Sequence, residues 1–324
     1  MNYNNLMDFH TFAEFVKENI SDYLDEDEQW TVTLGNVIKN NGVNKTSLNI
    51  MRQDTYQCPI IYLEEFYEKY RNRESLDDIL EHISNLYQYN FNSKYSLSDD
   101  TISNYEKIKG KIICRLINYE KNKEILKESP HIRILDLALT YRILFDQTEV
   151  GIATTLINYG MVQTWGVDEE ILHQESIKNS TQYFPPTIER MIDVIKGLMD
   201  SCAGKPYELE RIIEGMETEN ESGDTKYEAM PMFILSNASK LNGAGALFYS
   251  DILKEFANLL KKDIYILPSS IHEVILIPHS ENINTDELKK IVIDANDKVV
   301  LEDEILSNHI YLYSLSKDKI SISA

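Results

Sequence analysis

A chain of 324 residues, 43% hydrophobic and 26% charged, has a globular composition and can bury a core without staples. Its 53 acidic against 32 basic side chains leave a formal charge of −21, which repels nucleic-acid phosphates and anionic membranes. Cys58, Cys114 and Cys202 lie far apart in no metal or redox spacing, which argues against zinc and a disulfide framework and for a reducing cytoplasm.

The N-terminus has no basic-then-apolar leader pattern. No apolar run reaches the ~18 residues of a membrane span. Residues 8–24 place Phe12, Phe15, Val16, Ile20 and Leu24 at helical spacing, ended by the acidic run 22–28. Trp30, Val32 and Leu34 then alternate with Thr31 and Thr33, as in a strand. Asn41-Gly42 supplies a positive-φ turn into a return strand with Leu48 and Ile50. A short third strand, "CPIIYL", and a short helix, "EEFYEKY", follow. Ser75 caps the next helix, whose buried stripe is Leu76, Ile79, Leu80, Ile83 and Leu86.

Residues 101–127 read as one long amphipathic helix that stops before Pro130. Over 132–145, Leu135, Leu137, Leu139, Tyr141 and Ile143 share one face of a strand, with Asp136, Thr140 and Arg142 on the other. With a second β segment at 150–163, this predicts a long hairpin packed on one face. Helices are expected at 168–182 and 187–200, and a polar boundary or loop at 217–227. Beyond it the pattern predicts strands at 229–236, 244–249, 263–267, 273–278 and 309–315, with helices at 251–261 and 285–296. The fold class is α+β. It comprises an N-terminal α-β-β-β-α unit (1–97), a helical and hairpin middle (98–216), and a mostly antiparallel C-terminal sheet with two covering helices (228–324).

The stretch "LPSSIHEVILIP", Leu267–Pro278, offers the nearest approach to a nucleophilic cluster: Ser270, His272 and Glu273. No G-x-S-x-G elbow or oxyanion hole accompanies it. Pro268 and the serines suit a turn, and Val274–Ile277 suits a buried strand, so the segment reads as scaffold and no catalytic residue is assigned. The glycines of "NGAGALFYSDIL" fit neither phosphate-loop spacing and read as a hairpin turn, with Ser250 capping the following helix. Asp168, Glu169 and Glu170 suit a helix start. Glu170 and His173, three apart, read as an exposed ion pair, since no second Glu-x-x-His completes a metal site. His309 and the other histidines are scattered singly. No cofactor and no metal are expected.

The segments "CPIIYLEEFYEKY", "WGVDEEILHQESIKN" and "LPSSIHEVILIPHS", in this order, resemble a bacterial family, common among clostridia, known only as a domain of unknown function. The resemblance spans nearly the whole chain and is most specific at Leu267–Pro278 and the helix start 284–288. More distantly, the middle and C-terminal parts are similar to the uncharacterised YtpQ-like proteins of bacilli. The resemblance implies a bacterial, cytoplasmic protein and carries over no catalytic residues. The leading expectation is an acidic binding or regulatory protein whose partner is another protein, not nucleic acid or membrane. The alternatives are a hydrolase-like enzyme with Ser270, His272 and Glu273 near its site, and an inhibitor that mimics nucleic acid.

Overall fold

A computed structural model of the protein describes residues 6–25, 28–52, 60–91, 99–148, 151–194, 231–249 and 251–324. The chain divides into two compact units, Met1–Ser96 and Leu97–Ala324.

The first unit opens with α1 (Phe9–Asn19), whose first turn is closed by Asp8 accepting the Thr11 N–H at 2.8 Å. Strands β1 (Trp30–Ile38), β2 (Asn44–Arg52) and β3 (Ile60–Tyr62) form an antiparallel sheet in that order. The register runs from Trp30 opposite Arg52 to Ile38 opposite Asn44. The turn between them has Asn41 at φ 60° and Gly42 at φ 74°, the left-handed pair the Asn-Gly dipeptide was expected to supply. Two helices follow, α2 (Glu64–Arg71) and α3 (Leu76–Phe91). Ser75 caps α3: its hydroxyl accepts the Asp78 N–H at 3.1 Å and donates to the Asp78 carboxylate at 2.6 Å. Phe12, Val16, Leu48, Ile50, Ile79 and Ile83 close the core. Leu86, expected in the stripe, is 37% exposed; Tyr87 is buried instead, edge-on to Trp30. The α-β-β-β-α order is as expected.

The second unit departs from expectation at several places. Residues 101–127 do not form one helix. Short helices α4 (Asp99–Ile102) and α5 (Tyr105–Ile108) lead into a strand, β4 (Ile112–Asn118), and then α6 (Lys123–Lys127). The run "IICRLIN" is buried along nearly its whole length. A two-sided apolar strand carries no period to distinguish it from a helix.

The stretch 132–145 is two strands. β5 (His131–Ile134) turns at Leu135-Asp136 into β6 (Leu137–Thr148), with Ile134 opposite Leu137. Leu135 sits at φ 58°, a left-handed position that disfavours Leu. β6 pairs β4 on one side, and β5 and then β7 (Gly151–Leu156) on the other. Both its faces are covered, since Ala138 and Thr140 are as inaccessible as Leu139 and Tyr141, so the hairpin is not packed on one face only. The expected strand continuing to 163 is replaced by α7 (Tyr159–Trp165), capped by Asn158 accepting the Met161 N–H.

Helix α8 (Glu169–Tyr183) is where it was expected. The next segment is β8 (Pro186–Arg190), not a helix; residues 191–194 are helical, and 195–200 lie outside the described residues. Thr187 and Ile188, after two prolines, favour the extended chain. The expected boundary at 217–227 and the Ser250 cap also lie outside the described residues.

Residues 244–249 form a 3-10 helix, Gly243–Phe248, not a strand. Its small side chains let the backbone lie close under its neighbours. A Cβ at Gly243 would meet the Ser236 hydroxyl and lie 2.6 Å from the His272 carbonyl. The sheet order is β13-β12-β10-β11-β9-β8, all antiparallel. The added strands are β9 (Phe233–Asn237), β10 (Ile264–Leu267), β11 (Val274–Pro278), β12 (Tyr311–Ser314) and an unanticipated β13 (Lys319–Ile322).

Alternation along β10 directs Ile264 and Ile266 to one core and Tyr265 and Leu267 to another. Helix α9 (Ile252–Leu260) covers the first with Leu253 and Phe256. Helix α10 (Thr285–Lys298) covers the second with Leu288 and Val292. Leu116, Leu137 and Leu139 of the four-stranded sheet enter the same core as Phe233 and Leu235. The fold is α+β, and its two covering helices lie on opposite faces of the C-terminal sheet.

Candidate functional site

Three polar arrangements stand out in the second unit. The first contains the residues singled out in the sequence. Ser270 lies in the turn before β11, and its hydroxyl oxygen accepts the His272 N–H at 3.0 Å. Its own N–H donates to the Glu273 carbonyl at 3.2 Å. The His272 ring is held at both nitrogens. Nδ1 accepts the Asn242 N–H at 3.1 Å, which places the ring proton on Nε2, 3.2 Å from Glu304 Oε1. The His272 carbonyl accepts from Ser236 Oγ, and the Ile271 N–H donates to the Glu304 carbonyl. Ser270 therefore addresses the backbone of its own turn and not the imidazole. Among the described residues, Glu273 enters these bonds only through its main chain. His272 is a tie between the 241–248 segment and Glu304, neither of which the sequence pattern pointed to.

The second arrangement was missed. Asp136, on the β5–β6 turn, accepts from Ser307 Oγ at 2.6 Å, from Tyr311 OH at 2.8 Å, and bonds His309 Nδ1 at 3.0 Å. Burial opposes ionisation of this carboxyl and is the largest single influence. The bonds from Ser307, His309 and Tyr311 together outweigh it and hold the carboxyl below its ordinary value. The Ser-x-His-x-Tyr alternation at 307–311 put these groups on one face and was the available signal. The carboxylate orients the imidazole, but the Ser307 hydroxyl is spent on the carboxylate itself. Nothing in the arrangement activates a nucleophile.

The third is a groove of about 440 Å³. Ile134, Leu135, Leu247, Phe248 and Ile320 supply its apolar lining, and Asp251, Lys254, Asp318 and Lys319 its charged groups. Lys254 pairs with Asp318 at 2.7 Å, and Tyr313 donates to the same carboxylate at 2.6 Å. Desolvation first, and then that bond, pushes the Tyr313 phenol up to about 12. The volume is in the range that accommodates a small molecule or a side chain of a partner.

A model of a family of unknown function, DUF5688, matches residues 9–315, nearly the full chain. The chain belongs to the DUF5688 family. No curated protein and no solved structure matches it. Membership in DUF5688 thus brings no chemistry to these residues, and their geometry has to speak for itself.

Elsewhere in this DUF5688 chain, Cys114 is buried, and burial pushes its thiol up to about 11, which removes it as a nucleophile. Glu170 bonds Gln174 and not His173, which faces Tyr141, so the expected Glu170–His173 pair is not formed. Among the described residues, no group of three or more His, Cys, Asp or Glu side chains is placed to hold a metal ion. Nor, among them, is any helix long and apolar enough to cross a membrane.

Proposed function

We propose that the protein is a non-catalytic binding module that recognises a basic, partly apolar segment of another protein. The observation that carries this reading is the groove: an apolar floor edged by Asp251, by the Lys254–Asp318 pair and by Lys319, on a chain of net charge −21. A Leu or Phe flanked by Lys or Arg would bury its apolar side chain there, while the field of the chain draws in its charges. The engagement of both His272 nitrogens and of the Ser270 hydroxyl in the scaffold supports binding over the hydrolase-like alternative.

The test uses short labelled peptides with one Leu or Phe between arginines, titrated by fluorescence anisotropy. Binding should weaken as salt rises and should fall sharply in Ile320→Lys, with the melting temperature little changed. A nucleic-acid mimic would bind the same peptides with the Leu or Phe replaced by Gly. Equal affinity for both, or for Ile320→Lys and wild type, contradicts the proposal.

A further inference from the structure

The face of β4 and β6 turned away from the C-terminal sheet carries two arginines in otherwise apolar surroundings. The register sets Ile113 opposite Arg142 and Arg115 opposite Thr140, so Arg115 and Arg142 are diagonal neighbours on one face. Ile113, Leu144 and Phe184 pack at one end of this face; Ile117, Leu126 and Ala138 pack at the other. The Asn237–Asn242 segment closes over the middle and leaves a small cavity lined by Arg115, Arg142, Thr154, Leu241 and Asn242.

The polar groups of this cavity are incompletely matched. Arg142 Nε donates to Thr154 Oγ1 at 2.7 Å, a neutral partner. Arg115 Nε is sealed from solvent with no hydrogen-bond acceptor, and so is Asn242 Oδ1 with no donor. Asp303 and Glu304 act on Arg115, whereas the charge that acts on Arg142 is that of Arg115. Desolvation first, and then Arg115, pushes the Arg142 guanidinium down to about 9. Both arginines are half-buried. Asp303 and Glu304 offset the charge of Arg115, while Arg142 has only the neutral Thr154 hydroxyl, so a small anion between them would relieve a charge that is costly to desolvate.

We propose that Arg115 and Arg142 bind one small anion in the cavity they share with Asn242. The cavity is about 10 Å³, room for one particle the size of a water or a halide. That size suits a single-atom halide and disfavours a carboxylate or a tetrahedral phosphate. An anion there would take the free Arg115 Nε–H and offset the Arg115–Arg142 repulsion. A half-turn of the Asn242 amide would present its NH2 as a further donor. The site is distinct in chemistry from the groove, and its failure would leave the proposed function standing.

The experiment measures melting temperature of the full chain in a halide- and carboxylate-free buffer, titrated separately with bromide, acetate and phosphate at constant ionic strength. The expected result is a saturable rise with bromide and none with acetate or phosphate, lost in Arg142→Met and kept in the surface control Lys290→Met. An equal rise with acetate or phosphate contradicts the assignment to a single-atom anion. Should Arg142→Met fail to fold, bromide-soaked wild-type crystals decide through an anomalous peak within hydrogen-bonding reach of Arg115 Nε and Arg142. A water bridging Arg115 Nε to Asn242 Oδ1 in those crystals, a response linear in every salt, or an unchanged response in Arg142→Met overturns the site.

Discussion

At the scale of single residues, the two histidine-centred clusters act as ties, and each makes a prediction about stability. Replacing His272 by Ala removes the acceptor of the half-buried Asn242 N–H and the donor to Glu304. The expected loss is about 1–3 kcal/mol by chemical denaturation. Asp136, whose carboxyl is held below its ordinary 3.8, stabilises the fold fully above that value. Its contribution is lost as pH falls through the lower folded value. Asp136→Asn should therefore be less stable than wild type near neutrality, and its stability should be flatter in the acid limb of a pH titration.

His173 works in the opposite chemical sense. Burial holds its imidazole below the ordinary 6.5, and Nδ1 is sealed without a partner. The folded state disfavours the protonated ring, so stability declines as pH falls from 6.5 towards the lower folded value and then levels off. His173→Phe should remove that step. Denaturation curves on either side of 6.5 would show it, and an unchanged pH slope would contradict the burial argument.

At the scale of elements, legibility followed the physics of each segment. The β1–β2 hairpin was readable because alternation and an Asn-Gly turn agreed, and Asn41 and Gly42 do take positive φ. Helix α3 was readable because Ser75 and Asp78 mark its start; Ser75→Ala should cost about 1 kcal/mol. β4 was unreadable as a strand because both its faces are buried, which erases the period of two. The β5–β6 turn was hidden because Leu occupies a left-handed position that normally announces itself with Gly or Asn. The segment 243–248 misled for a related reason: its glycines and alanines serve close packing and not a turn. There, Gly243→Ala should destabilise measurably, since the new methyl would face the Asn237 nitrogen at 2.7 Å and the His272 carbonyl at 2.6 Å. Of the candidate site, Ser270, His272 and Glu273 were visible as neighbours in the chain. Their working partners, Asn242 and Glu304, come from other elements and could be found only in three dimensions.

For the whole molecule, the cores and the charge carry separate messages. Leu116 and Leu139 of one sheet and Phe233 and Leu235 of the other close a shared core, against which α9 packs, and this holds the 241–248 and 267–273 segments in place. The charge of −21 is separate from that packing, and the proposed recognition of a basic segment draws on it. His272 belongs to the packing and not to the proposed recognition. The direct measurement compares His272→Ala with wild type by thermal melting and by anisotropy with an arginine-flanked Leu peptide, below both melting temperatures. The expected result is a clearly lowered melting temperature with peptide affinity unchanged. An unchanged melting temperature with peptide binding lost would contradict it.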